Sequence, residues 1–466
     1  MRCSTSFLAN ALPVRALART LVSLLAGLAV LLADLPQPAQ AQGRVAVVRD
    51  AEIEGLLADY ARPILKAAGL EQRGIDIVLI NNPSFNAFVA GRRIFINTGA
   101  IEAAETPNEI IGVLAHEAGH LAGGHQQRLR EQLARTRTMA IVGSLLGVGA
   151  LAAGTVADSR SGKSAGGALA TAAPMMAKRM LLSYRRSEEI NADQAAAKYL
   201  KATQQSARGM LATFERFSSG LALAGVRVDP YQQSHPLPRE RIAMLQSLAR
   251  ESPYFDREDP GGLMQRHQMA RAKIAAYMGG HPAVARLFGR GDASLAARYG
   301  DAVATDLAGN SAAALKKIDA LIGAQPKSPY LREFKGEILL KLRRADEAAQ
   351  AFEQALRLSG GRNGLIRARY GFALLASGKT GNATKAIENL RAGIQAEPDN
   401  LNAYLHLSQA YGLKGDIGNA ELALAEGYFR AGNGREAKVF AARALAKLPK
   451  GTPAARRADD IFSVSR

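Results

Sequence analysis

Residues 106–121, TPNEIIGVLAHEAGHL, hold the pentapeptide His116-Glu117-Ala118-Gly119-His120, and the fold turns on how this stretch is read. Thr106-Pro107-Asn108-Glu109 has the form of a helix start: Thr106 as N-cap, Pro107 at the first helical position, Glu109 reaching back to the backbone. Ile110, Ile111, Val113, Leu114, Ala118 and Leu121 follow at helical spacing, which predicts a helix with a buried side. Residues four apart share a helix face, so His116 and His120 can direct their imidazoles at one divalent ion. Glu117 sits one position round and can reach a water held by that ion without ligating it. Two neutral imidazoles and a carboxylate base are the parts of a hydrolytic zinc site. The competing reading is a chance pentapeptide on a solvated helix, and the capped, apolar context argues against it.

A third ligand decides whether a site exists. One solution places His ten positions after the first, with Gly at seven. Gly123 fits, but Gln126 stands in the ligand position and His125 falls one residue early, so that pattern is rejected. The other solution takes a Glu from a later helix. Glu189 and Asp193 lie four apart on the Ala-rich helix expected over Ser187–Leu200. There Glu189 would ligate zinc, and Asp193 would hydrogen-bond a ligand imidazole from behind. Glu188, one residue away, competes for the ligand role.

The segments HEAGHLAGGH (116–125), YRRSEEINAD (184–193) and SHPLPRERI (234–242) together resemble the gluzincin family of the CAAX prenyl protease and HtpX, metallopeptidase family 48. The resemblance is strongest to its soluble periplasmic members with C-terminal tetratricopeptide repeats, and it covers nearly all of the mature chain. It implies one zinc ion per chain on His116, His120 and Glu189, with Glu117 as general base. It also implies that Asp193 and Arg186 fill the family's second signature, where this chain has Arg185 in place of Ser. The implied activity is a periplasmic zinc endopeptidase that clears misfolded or stalled envelope proteins. Its implied substrates are outer-membrane β-barrel proteins, and its implied partner is the β-barrel assembly machinery.

His235 precedes Pro236 in an extended segment, from which it can reach into a cleft. In the resembling family this loop borders the active site. His235 is therefore a candidate for a movable fourth zinc ligand, for an oxyanion donor, or for a cap on the helix that starts at Arg239. His125, His267, His281 and His406 lack a partner pattern, and packing or surface roles are expected for them.

The 466 residues suffice for two or three domains with real cores, and 48% hydrophobic with 22% charged is ordinary for a globular protein. Arg2, Arg15 and Arg19, the apolar run Leu21–Ala33 and Ala39-Gln40-Ala41 read as a signal peptide cleaved after Ala41. The single cysteine, Cys3, leaves with it, so disulfides are excluded from the mature chain. The net charge of +19 falls to about +17 when Arg2, Arg15, Arg19 and Asp34 are removed. No aromatic–basic motif interleaves this charge, and export argues against nucleic acid; acidic protein partners or peripheral contact with an anionic membrane fit better.

Ala51–Ala68 reads as an amphipathic helix, Ile75–Ile80 and Ile94–Ile96 as strands of a small sheet. Gly91–Asn97 is the candidate edge for pairing with an extended substrate. Met139–Ala157 is nineteen residues without charge, yet it lies between ligands that must converge on one ion. A single span would separate them, so a helical hairpin that touches a membrane or covers substrate is expected, continued by a flexible loop over Ser159–Gly167.

From about Asp292 the chain repeats. Ala314, Ala348, Ala383 and Ala420 recur at spacings of 34, 35 and 37, each with a bulky residue four later. Gly336 and Gly371 stand twelve before two of these alanines. These are tetratricopeptide offsets, which predict a solenoid of stacked helix pairs with a concave binding face. Arg435–Lys447 is expected to close it as a last capping helix.

The expected protein is mainly α with a small β-sheet: a signal peptide (1–41), a zincin-type metalloprotease domain (42–252), connecting helices (253–294) and an α-solenoid of tetratricopeptide repeats (295–466). The alternative function is a non-proteolytic chaperone or docking scaffold for outer-membrane protein assembly.

Overall fold

Asp50 starts the first helix by accepting the Ile53 amide at 2.9 Å, and from there the apolar positions fix what is buried. The computed structural model describes residues 46–156, 160–223, 235 and 239–465; the leader read over 1–41 lies outside them. Val47–Ala122 with Ala192–Arg466 form one compact unit, and Gly123–Asn191 belongs to a second.

In the first unit, β1 (Val47–Val48), α1 (Ala51–Ala67), β2 (Asp76–Ile80), β3 (Ala87–Ala90) and β4 (Arg93–Asn97) precede the short α2 (Thr98–Ala103). The sheet order is β1-β2-β4-β3, with β4 parallel to β2 and antiparallel to β3. Gly91, at φ 62°, makes the β3–β4 turn that a side chain would strain. This order corrects the expectation for Gly91–Asn97: β4 is an interior strand whose backbone pairs on both sides, so it does not receive substrate. The four-residue β3, unrecognised in the sequence, takes the end of the sheet instead. Ile94 and Ile96 alternate inward, both fully buried, against Leu56, Leu57 and Ile64 of α1.

Helix α3 (Pro107–Gly123) lies over this core, with Ile110, Val113 and Leu114 buried in the same cluster. Its start is the expected one. Glu109 Oε1 accepts the Glu105 and Thr106 amides at 2.9 and 3.3 Å.

The second unit carries the long helices α4 (His125–Val156) and the first part of α5 (Arg160–Ala202). They are tied where the chain leaves and returns: Glu188 accepts from Arg128 at 3.0 Å and contacts His125 Nε2 at 2.8 Å. Arg160–Gly167 is helical rather than a loop, as part of α5. Among the described residues, no helix is long and apolar enough to cross a membrane.

Back in the first unit follow α6 (Arg208–Leu223), α7 (Arg239–Arg250) and α8 (Gly261–Phe288). The connecting segment is thus helical in two pieces, because the backbone of α8 leaves helical geometry at Gly279–Gly280. His267 on α8 is a packing residue: Nε2 donates to the Ala104 carbonyl at 2.9 Å and Nδ1 accepts from Tyr60 at 3.0 Å. Burial lowers its pKa to about 4, so it stays neutral. Lys273 on α8 pairs with Asp50 at 2.7 Å and Glu52 at 3.3 Å, and Glu52 accepts from Tyr299 at 2.8 Å.

Ten helices complete the chain: α9 (Leu295–Leu307), α10 (Ser311–Ala324), α11 (Pro329–Lys341), α12 (Ala345–Leu358), α13 (Gly364–Ala376), α14 (Ala383–Ala396), α15 (Leu401–Leu413), α16 (Ile417–Arg430), α17 (Gly434–Leu445) and α18 (Pro453–Val464). The repeated alanines fall on α10, α12, α14 and α16, all buried. A Cβ on Gly336 would sit 2.7 Å from the Phe352 ring, which is why a glycine stands where α11 crosses α12. The segment 435–447 does not close the stack. Thr452 caps a further helix, α18, with Pro453 at its first position, and Ala458 and Ile461 pack on Ala437, Ala441 and Ala444.

Candidate metal centre

His116 and His120 stand one turn apart on α3, and their Nε2 atoms lie 3.1 Å from each other. His235, four residues before α7, meets them with Nδ1 3.2 Å from His116 Nε2. Nitrogens held about 2.0–2.1 Å from a tetrahedral zinc lie about 3.3 Å apart, so the three rings are spaced as ligands of one ion. Glu189, His116, His120 and His235 each offer a ligand atom, and these atoms lie within 4.8 Å of one another. The donor set, three imidazoles and a carboxylate, suits zinc.

The orientation of His116 is set from behind. Its Nδ1 donates to Asp193 Oδ1 at 3.0 Å, which fixes the tautomer and leaves Nε2 as the acceptor that faces the cluster. Asp193 in turn accepts a two-pronged contact from Arg241, Nε to Oδ2 at 2.7 Å and the terminal amine to Oδ1 at 2.9 Å. Both members of this pair are essentially inaccessible to water. The Arg241 guanidinium also lies over the Phe214 ring, 5.5 Å from its centre. Leaving a buried carboxylate without such a partner is strongly destabilising.

Close helix approach brings these groups together. A Cβ on Gly119 would lie 2.9 Å from the Ala192 carbonyl oxygen, so only glycine between the two motif residues Glu117 and His120 lets α3 lie against α5 at Asp193. Glu189 sits one turn earlier on α5 and is buried. Glu188 instead contacts His125 and Arg128, and it lies outside the group of residues that could share one ion. Glu117 is fully buried, with Oε1 3.4 Å from His235 Nε2. Arg186 is exposed on α5.

The sequence reading missed Arg241. A signal was present: Arg241, Leu245 and Ala249 are the buried stripe of α7, so an arginine occupies an apolar position of an amphipathic helix. Asp193→Asn and Arg241→Lys are each expected to weaken zinc affinity about 10–100-fold, measured by competition with a chromogenic chelator. An affinity equal to wild type in both would show the pair to be structural only.

Residues 49–249 match the model of peptidase family M48, and residues 331–361 that of the tetratricopeptide repeat. The chain is similar to the β-barrel assembly-enhancing protease of Escherichia coli (strain K12), 21% identical over 426 residues, covering 89% of this chain and 83% of that protein. It is also similar to a putative β-barrel assembly-enhancing protease of Vibrio cholerae serotype O1, 25% identical over 312 residues, covering 67% of this chain and 56% of the other. Among solved structures, YrrB, a TPR protein with an unusual peptide-binding site, is 16% identical with a TM-score of 0.31, covering 37% of this chain and 88% of its own.

Proposed function

Because the chain carries a peptidase family M48 domain followed by tetratricopeptide repeats, we propose that it is a periplasmic zinc-dependent endopeptidase for misfolded or stalled outer-membrane proteins. The observation that carries this reading is the convergence of the His116, His120 and His235 nitrogens beside the buried carboxylate of Glu117. His116, His120 and Glu189 would hold the zinc, one ion per chain. When bound, the metal supplies Lewis acidity toward a scissile carbonyl and acidifies water. Glu117, within the same pocket but not in the ligand set, accepts the proton of the attacking water and returns it to the leaving amine. Asp193 and Arg241 keep His116 in the tautomer that ligation needs. The relatives' printed names, together with the repeats, support substrates or partners among assembling outer-membrane β-barrels, with the repeats as the docking face; the β-barrel assembly machinery is the partner this predicts.

His235 fits a fourth ligand best, since its Nδ1 points at His116 Nε2 and its Nε2 at Glu117. In that position it holds the place of the substrate water and keeps the enzyme resting. His235→Ala is then expected to raise peptide hydrolysis several-fold; a fall in kcat would assign the oxyanion role instead.

A scaffold without proteolysis is the second reading, and the intact, buried Glu117 disfavours it, because a structural zinc site needs no base. Mass spectrometry of peptides released from envelope proteins separates the two. The peptidase reading expects peptides that wild type produces and Glu117→Gln does not; identical peptide sets would overturn it.

A further inference from the structure

Ten of the exposed large apolar side chains fall between Leu133 and Leu182, on α4 and α5 of the second unit. Leu145 and Leu146 are 60% and 62% exposed, and Met176 and Leu182 are 62% and 54% exposed. Such a cluster on a water-facing pair of helices calls for an occupant. The charge beside it names one. Arg135, Met139, Val142 and Leu146 follow i, i+4, i+7, i+11 spacing on α4, and Met175, Arg179, Leu182 and Arg186 do the same on α5. Each stripe therefore mixes basic and apolar side chains on one face. Between His125 and Arg186 the only carboxylates are Glu131 and Asp158, against ten lysines and arginines.

We propose that this helix pair is a membrane-surface element that binds an anionic bilayer, with its leucines and methionines at the acyl boundary and its arginines and Lys178 at the headgroups. Long basic side chains suit that position, because their stems lie along apolar surface while the charged ends stay with phosphate and water. Attraction to an anionic leaflet contributes about fivefold in affinity per basic residue near the surface. The inference does not depend on the peptidase reading.

Flotation of the mature chain with vesicles tests it. Wild type is expected to float with vesicles of phosphatidylethanolamine and phosphatidylglycerol, and to stay behind with phosphatidylcholine alone. Replacing Arg135, Arg137, Lys178 and Arg179 by Gln should cut binding to the anionic vesicles by more than a hundredfold and weaken its salt dependence. The double change Leu145→Glu and Leu146→Glu should abolish it while zinc content and Tm stay at wild-type values. Equal flotation with both vesicle types, or undiminished binding by the leucine variant, would overturn the proposal. So would a wild-type dimer in light scattering that the leucine changes dissociate, since a second copy would then be the occupant.

Discussion

Glu117→Gln is expected to lower peptide-bond hydrolysis about a thousandfold while leaving the fold, Tm and zinc content unchanged. The amide matches the carboxylate in shape but cannot accept the proton of the attacking water. Glu117 lies outside the group of atoms that could hold a metal, which consists of His116, His120, Glu189 and His235. Its loss should therefore appear in kcat with little change in KM. Measured on a quenched peptide with zinc content determined in parallel, a hydrolysis rate near wild type would remove Glu117 from the chemistry. A rate loss that tracks zinc loss would instead make Glu117 a positioning residue for the metal.

Glu189→Ala is the second large effect: zinc falls from one ion per chain to almost none, and hydrolysis falls with it. Because metal binds the folded state, its loss also removes the stabilisation that binding confers, about 4 kcal/mol when free zinc is a thousandfold above Kd. Tm should therefore become insensitive to added zinc. Glu188→Gln is the control, since its carboxylate is engaged by His125 and Arg128. It should retain zinc and lose only the tie between α4 and α5. Full zinc in Glu189→Ala with loss in Glu188→Gln would transfer the ligand role to the neighbour.

The parts that the sequence made legible are those in which spacing alone sets geometry. His116 and His120 are four apart, Glu189 and Asp193 are four apart, and a helix turns each spacing into a shared face. The repeat offsets worked for the same reason, with Gly336 and the buried alanines marking helix crossings. Sheet order was not legible, because β2 and β4 are neighbours in space while the short β3 between them in sequence pairs beyond β4. Arg241 escaped notice because its partner Asp193 is 48 residues away, and the local sign, an arginine on the buried stripe of α7, does not name that partner. The final helix α18 had a local signal, Thr452-Pro453, but no repeat offset to draw attention to it.

His116, His120 and Glu189 are expected to hold a single zinc ion. Anomalous diffraction at the zinc edge, on crystals of the mature chain, tests it most directly. One peak per chain is expected, about 2.0–2.2 Å from Nε2 of His116 and His120 and from a Glu189 carboxylate oxygen. A peak bound elsewhere, or a Glu189 carboxylate well beyond bonding distance of the ion in an ordered chain, would contradict it.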